Sequence, residues 1–275
     1  MPLREMIVAQ LSDPHIVAPG EVLYGRVDTA AFFARAVETV AGLDPPPDIV
    51  VITGDLVGNE KPAEYDHLRR LLAPLRMPVF VIPGNHDTRE LIRATFGADG
   101  YLPADGFLQY AVETYPLRLI GLDTHIPGQG GGELCAERLA WLDRTLAMAP
   151  ERPTLLMMHH PPFLTGIQRM DKAWLHNSDG LASVVARHPQ IERILCGHLH
   201  RAIDRRFAGT VAGTAPSTAH QMQLDLRDGV SLRFMFEPPG YQLHLWREDS
   251  GLVTHTAPVG DWPGPFPLRA DLPPS

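Results

Sequence analysis

Short apolar runs at 6–11, 48–53, 78–82, 117–122, 154–158 and 193–196 punctuate the chain as far as Cys196, and each stops at a polar residue, a glycine or a Pro-Gly pair. Their length and apolar content predict strands. Between them, 29–43, 62–72, 88–96, 133–146 and 178–187 carry apolar residues at helical spacing and predict amphipathic helices. Asp28 and Ser178 stand where capping side chains are wanted, and Pro62 suits a first helical turn. Strand, loop and helix in alternation predict an α/β fold.

The texture changes after Ile203. Segments 203–207, 222–226, 231–236, 241–246 and 252–256 read as short strands joined by turns, with Asp228-Gly229 as a hairpin signal. They predict a second, mostly antiparallel sheet. Nothing marks a flexible linker before it, so 1–256 reads as one domain. The Pro- and Gly-rich 257–275 reads as a tail over the surface.

A chain of 275 residues with 44% hydrophobic content buries a sizeable core. Its formal charge of −8 argues against nucleic-acid polymers and anionic membranes, both of which call for a basic face. A phosphate bound here must therefore find local positive charge, which metal ions supply. Cys135 and Cys196 lie outside any C-x-x-C pairing, fitting a reducing compartment without disulfides. The apolar run near the N-terminus is too short for a signal segment, and no run reaches the ~18 residues of a membrane span. A cytoplasmic protein is expected.

Five segments carry the chemistry: Asp13-Pro14-His15, Gly54-Asp55, Gly84-Asn85-His86-Asp87, His159-His160-Pro161-Pro162 and Gly197-His198-Leu199-His200. Each directly follows an expected strand. Ligands of open α/β sheets bind beyond the carboxyl ends of the strands, so these segments should converge. Singly, most are the composition of an ordinary turn, and one histidine of the 159–160 pair reads equally as a satisfied core residue. His198 and His200, two apart, reach one side if the segment is extended. Together the five give carboxylate, imidazole and amide oxygen without thiolate, which suits Mn, Fe, Co or Zn in an open catalytic site. The donors exceed what one ion needs, so two ions are expected.

In this order, D-x-H, G-D, G-N-H-D, H-H-P-P and G-H-x-H resemble the signature of the calcineurin-like metallophosphoesterases. Leu23-Tyr24-Gly25, Ile82-Pro83 and Cys196-Gly197-His198 place the likeness in the branch of class III cyclic-nucleotide phosphodiesterases and bacterial glycerophosphodiesterases. It runs from about Val8 to His220. The resemblance implies a four-layer αββα sandwich of two mixed sheets. It assigns Asp13, His15, Asp55 and His200 to a first metal, and Asp55 as bridge with Asn85, His159 and His198 to a second. It makes His86 an acid or electrostatic group beside the metals, oriented by Asp87 or a backbone carbonyl. Tyr24, Asn85, His86 and His220 are its substrate-binding positions, although Tyr24 also reads as a loop residue and His220 as a packed one.

The implied reaction is hydrolysis of a cyclic nucleotide such as 3′,5′-cyclic AMP, or a related small phosphodiester. Water activated on two ions about 3.5–4 Å apart attacks in line. The alternatives are a glycerophosphodiesterase, a broad phosphomonoesterase, or an inactive scaffold of the same fold; the last requires lost donors, and none is lost. Arg89 and Arg201 neighbour the motifs and read either as phosphate contacts or as solvated side chains. The glycine-rich 127–132 reads as a flexible connection, or else as permissive backbone bordering the site. Phe234-Met235-Phe236 and Trp246 suggest a homodimer or higher oligomer, or else belong to the core.

Overall fold

The computed structural model describes residues 4–266. One sheet has the order β13-β12-β1-β2-β3, from β1 (Glu5–Leu11), β2 (Ile49–Ile52), β3 (Val79–Val81), β12 (Gly240–Arg247) and β13 (Gly251–Pro258). The other has the order β4-β5-β6-β7-β9-β8, from β4 (Tyr110–Val112), β5 (Arg118–Gly121), β6 (Thr154–Met157), β7 (Ile191–Cys196), β8 (Ile203–Phe207) and β9 (Thr210–Thr214). Both are mixed: β1, β2 and β3 run parallel, as do β5, β6, β7 and β9, while β12, β13, β4 and β8 pair antiparallel.

Apolar runs form these strands because both faces are covered, and their alternation sorts the side chains by layer. Met6, Val8, Ile49 and Val51 face the other sheet, meeting Leu155, Met157 and Leu195 across the layer, with Trp246 of β12 beside them. Ala9, Leu11, Val50 and Ile52 face outward, beneath α1 (Thr29–Ala41), α2 (Pro62–Leu71) and α3 (Arg89–Phe96). Leu156, Ile194 and Cys196 likewise face α4 (Ala136–Ala147) and α5 (Ser178–Val185). The layers are thus helices, sheet, sheet, helices. Fully burying one helix anchor such as Phe33 contributes about 2–3 kcal/mol.

Asp28 caps α1, its carboxylate accepting from the Ala31 N–H, and Pro62 opens α2. At α5 the cap position is Asn177, with Ser178 the first helical residue. The segments after 203 do not together build one further sheet. β8 and β9 extend the second sheet, whereas β12 and β13 return to β1 and extend the first. Local patterning specifies a strand but not its partner. Segments 222–226 and 231–236 contract to the two-residue pair β10 (Gln221–Met222) and β11 (Phe234–Met235), although Asp228-Gly229 does turn, with Gly229 at φ 71°. Ala257 and Pro258 belong to β13 and Val259 is buried; of the expected tail, 267–275 lie outside the described residues. Cys135 and Cys196 are both free. Among the described residues, no helix is long and apolar enough to cross a membrane.

Candidate metal centre

All five motif segments leave the carboxyl ends of β1, β2, β3, β6 and β7, and their side chains meet. Asp13, His15, Asp55 and His200 place one donor atom each within 4.8 Å of one another. His15 Nε2 stands 3.0 Å from His200 Nε2 and 3.5 Å from Asp55 Oδ2, and His200 Nε2 is 3.5 Å from Asp13 Oδ1. A second group adjoins it. Asn85 Oδ1 lies 3.1 Å from His159 Nε2 and 3.0 Å from His198 Nδ1, and these two nitrogens are 3.2 Å apart. The two oxygens of Asp55 divide between the groups: Oδ2 faces His15, and Oδ1 lies 3.4 Å from His159 Nε2.

Backbone geometry aims these side chains. Asp13, His15, Asp55, His198 and His200 all have positive φ, between 46° and 71°, a conformation costing non-glycine residues of order 1 kcal/mol or more each. The expectation that His198 and His200 share one side fails for this reason: the segment is left-handed, not extended, and the pair divides between the groups. Gly84 and Gly197 permit the approach of loops. A Cβ on Gly84 would overlap the backbone and carboxylate of Asp55, and one on Gly197 would overlap Ser12 Oγ and the Thr53 carbonyl.

Backbone carbonyls settle which ring nitrogens are free. His159 Nδ1 donates to the Thr53 carbonyl (2.8 Å) and His200 Nδ1 to that of His220 (2.9 Å), leaving both Nε2 atoms as acceptors toward the centre. Two carboxylates, the Asn85 oxygen and these nitrogens are therefore all acceptors. His15 and His198, each also carrying a buried ring nitrogen without a partner, supply at most one proton apiece toward them. With the rings neutral, acceptors outnumber the protons that reach them. Burial pushes Asp13 up to about 7; burial also pushes Asp55 upward, but His159 and His15 hold it well below the carboxylate range. His159 is disfavoured as a cation by burial, yet Asp55 draws it up to about 9, whereas burial takes His198 to about 3 and His200 to about 4. The rings that stay neutral keep lone pairs for a cation, and the donor set fits two cations held between the groups.

His160 sits among the second group but offers no lone pair. Burial keeps it neutral, its Nε2 donates to the Gly130 carbonyl (3.1 Å), and its Nδ1 accepts from Thr124 Oγ1 (2.8 Å). It is the satisfied member of the histidine pair. Pressed against it, Gly132 has no room for a Cβ, nor has Gly131 against His176, so the glycine-rich segment ends in close packing rather than in a flexible connection.

His86 lies beside the centre. Its backbone N–H donates to Asp55 Oδ1 (2.9 Å), its ring meets His15 edge to face at 4.9 Å, and its Nδ1 donates to the Gly58 carbonyl (3.2 Å). A carbonyl, not Asp87, orients the ring. Asp87 is buried and clamps the loops instead, accepting from Gly84 N, Leu56 N and Tyr65 OH. Tyr24 is half exposed at a strained φ of 52°, with its ring edge to face with His220 at 5.6 Å. His220 is fully buried, 4.7 Å from the His200 ring, with neither ring nitrogen partnered.

Neither neighbouring arginine is free. Arg89 makes a two-pronged pair with Asp123 (2.6 and 2.9 Å) and donates to the His125 carbonyl, while Arg201 pairs with Glu237 (2.6 Å). Sequence reasoning passed over Asp123-Thr124-His125, although it follows β5 just as the metal motifs follow their strands. The Tyr65–Asp87 clamp left no such signal, because its partners are distant in sequence.

Two packed mixed sheets with acidic and imidazole donors converging at their shared carboxyl edge define a metal-dependent hydrolase scaffold. The model of the calcineurin-like phosphoesterase family matches residues 6–202, and the chain belongs to that family. A probable glycerophosphodiester phosphodiesterase of Arcobacter nitrofigilis is 38% identical over 96% of this chain and 97% of its own length. The 3′,5′-cyclic adenosine monophosphate phosphodiesterase of Escherichia coli strain K12 is 34% identical over 78% of this chain and 77% of its own. A dimetal phosphatase from Danio rerio shares the fold, with a TM-score of 0.64 at 14% identity over 93% of this chain and 99% of that one.

Replacing Asp55 by Ala is expected to lower the cation content of both donor groups. Elemental analysis of manganese-loaded protein checks this, and loss of a single equivalent would mean that Asp55 serves only one group.

Proposed function

We propose that the chain hydrolyses small phosphodiesters at a two-cation centre, with 3′,5′-cyclic nucleotides as the preferred class. The observation that carries the reading is the division of Asp55, whose two oxygens face two separate donor sets. Asp13, His15, Asp55 and His200 would hold one ion; Asp55, Asn85, His159 and His198 would hold the other. This set of oxygen and nitrogen donors suits Fe, Mn, Zn or Co. The chemistry that bound ions would supply there is acidification of a water and charge compensation at the phosphoryl oxygens.

The chain's own residues do the rest. Because Gly58 takes the Nδ1 proton of His86, Nε2 is the nitrogen left for the phosphoryl or leaving oxygen, and it donates when the ring is protonated. Asn85 adds an amide to the phosphoryl pocket. Tyr24, His220 and Phe234 set aromatic rings beside the centre, 5.3–5.6 Å apart, and support a substrate that carries an aromatic base, as a cyclic nucleotide does. The formal charge of −8 supports a small substrate over a nucleic-acid polymer. A second reading, hydrolysis of glycerophosphodiesters, is favoured by the relative named for that activity, which matches nearly the whole chain. An inactive scaffold is disfavoured because every donor is in place.

The two free cysteines support a cytoplasmic location. Self-association is supported by the exposed Leu224, Leu226, Leu232, Met235 and Phe236 around the β10–β11 pair, whereas Trp246 is buried and contributes nothing to it. Sedimentation of the purified protein is expected to show a dimer or larger species, and a monomer at all concentrations would remove this reading.

The direct test is a metal-reconstituted assay of 3′,5′-cyclic AMP against glycerophosphodiesters under equal conditions. A higher kcat/KM for the cyclic nucleotide is expected; the reverse order selects the second reading, and two bound metals with no ester hydrolysed would overturn both. His86→Ala is expected to lower kcat by about 10²-fold or more with metal content unchanged. Loss of metal would make His86 part of the cation site instead.

A further inference from the structure

The layer between the sheets is apolar at one end and polar at the other. Along β1, Met6 and Val8 are followed on the same face by Gln10; along β12, Trp246 is preceded by His244 and Gln242. Gln10, Ser12, Thr53 and His244 are all completely buried, in positions where leucine or methionine would pack without desolvating polar groups.

These residues form one continuous hydrogen-bonded line that ends on the metal motif. Thr254 Oγ1 lies 2.9 Å from His244 Nδ1, His244 Nε2 3.0 Å from Gln10 Oε1, and Gln10 Nε2 3.0 Å from Thr53 Oγ1. Thr53 Oγ1 lies 2.7 Å from Ser12 Oγ, which is 2.5 Å from Asp13 Oδ2.

The direction of every donation follows from groups that only accept. Gln10 Nε2 also contacts the Cys196 carbonyl (3.0 Å), so the amide nitrogen faces Thr53 and the amide oxygen faces His244. His244 Nε2 must then carry the proton, which leaves Nδ1 to accept from the Thr254 hydroxyl. At the other end, an ionised Asp13 only accepts, so Ser12 donates to it. Ser12 Oγ then accepts from Thr53, whose alternative acceptor, the Leu11 carbonyl, is farther at 3.5 Å. Five donations therefore point one way, from β13 to the Asp13 carboxylate, and bonds aligned in this manner polarise one another.

We propose that His244, with Gln10 and Thr254, is a positioning residue for the metal centre, acting through Thr53 and Ser12 to fix the orientation and donor strength of Asp13. The proposal rests on the reading of Asp13 as a metal ligand. Asp13 is also held independently by the His198 N–H, at 3.0 and 3.1 Å from its two oxygens, so loss of the line loosens the carboxylate without releasing it.

The test measures manganese dissociation constants of the full chain by chelator competition, together with the visible spectrum of the cobalt-loaded protein, for His244→Leu, Thr254→Val, Thr254→Ser and Asp13→Ala. Asp13→Ala should lose an equivalent. His244→Leu should weaken one equivalent by about tenfold and alter the cobalt bands. Thr254→Val should shift both readouts in the same direction by less, and Thr254→Ser, which keeps the first hydroxyl, should match the parent. If Asp13→Ala loses metal while His244→Leu and Thr254→Val leave affinity and spectrum unchanged, the positioning role is overturned and the ligand reading survives. If Asp13→Ala keeps both equivalents, the ligand reading falls and the proposal with it. Should His244→Leu fail to fold, the Thr254 pair decides between the same outcomes.

Discussion

Acceptors crowd around Asp55 without enough protons to go between them. Asp13, Asp55, Asn85 and His200 present lone pairs to one small buried volume, Asp55 draws His159 toward its cationic form, and burial keeps His198 and His200 neutral. Such a cluster is costly alone and favourable around cations, because unpaired buried acceptors lose hydration that only positive charge returns. Much of the surrounding structure holds it together. Carbonyls of Thr53 and His220 fix the tautomers, Gly84 and Gly197 let the loops touch, and Asp87 ties the loops after β2 and β3 to α2 through Tyr65.

Convergence of this kind requires two sheets. Asp13, Asp55 and Asn85 come from the first, His159, His198 and His200 from the second, and the apolar layer between them sets their separation. The left-handed backbone at five of the donors is the local counterpart of that constraint, a strain tolerated because rigid strands enter each turn. Where the interlayer approaches the metal motifs it changes from Met6 and Val8 to Gln10, and the hydrogen-bonded line reaching Asp13 runs through that polar part.

The family relation and the site support each other at different levels. Membership in the calcineurin-like phosphoesterases accounts for the sheets and the motif order. Tyr24, His220 and Phe234 lie outside the metal motifs and bring aromatic rings together from loops and β11, and the proposed preference for a substrate with an aromatic base rests on them.

Residues near in sequence announced themselves in advance. The strand runs, the cap at Asp28, the opening of α2 at Pro62 and the five motif segments were legible because each depends on a few consecutive side chains and on periodicity. Sheet membership after Ile203 was not legible, since β12 reads alike whether it founds a new sheet or returns to β1. Nor was the division of His198 from His200, which turns on backbone dihedrals rather than spacing. His160 against His159, Gly58 against Asp87 as the partner of His86, the pairing of Arg89 with Asp123, and the line from Thr254 to Asp13 all depend on which atoms meet across the fold. The individual elements and the donor types could be read from the chain, because burial and metal preference act residue by residue, and the layering followed only from the family resemblance; roles waited on the folded structure, because a hydrogen bond or a shared carboxylate exists only between partners brought together.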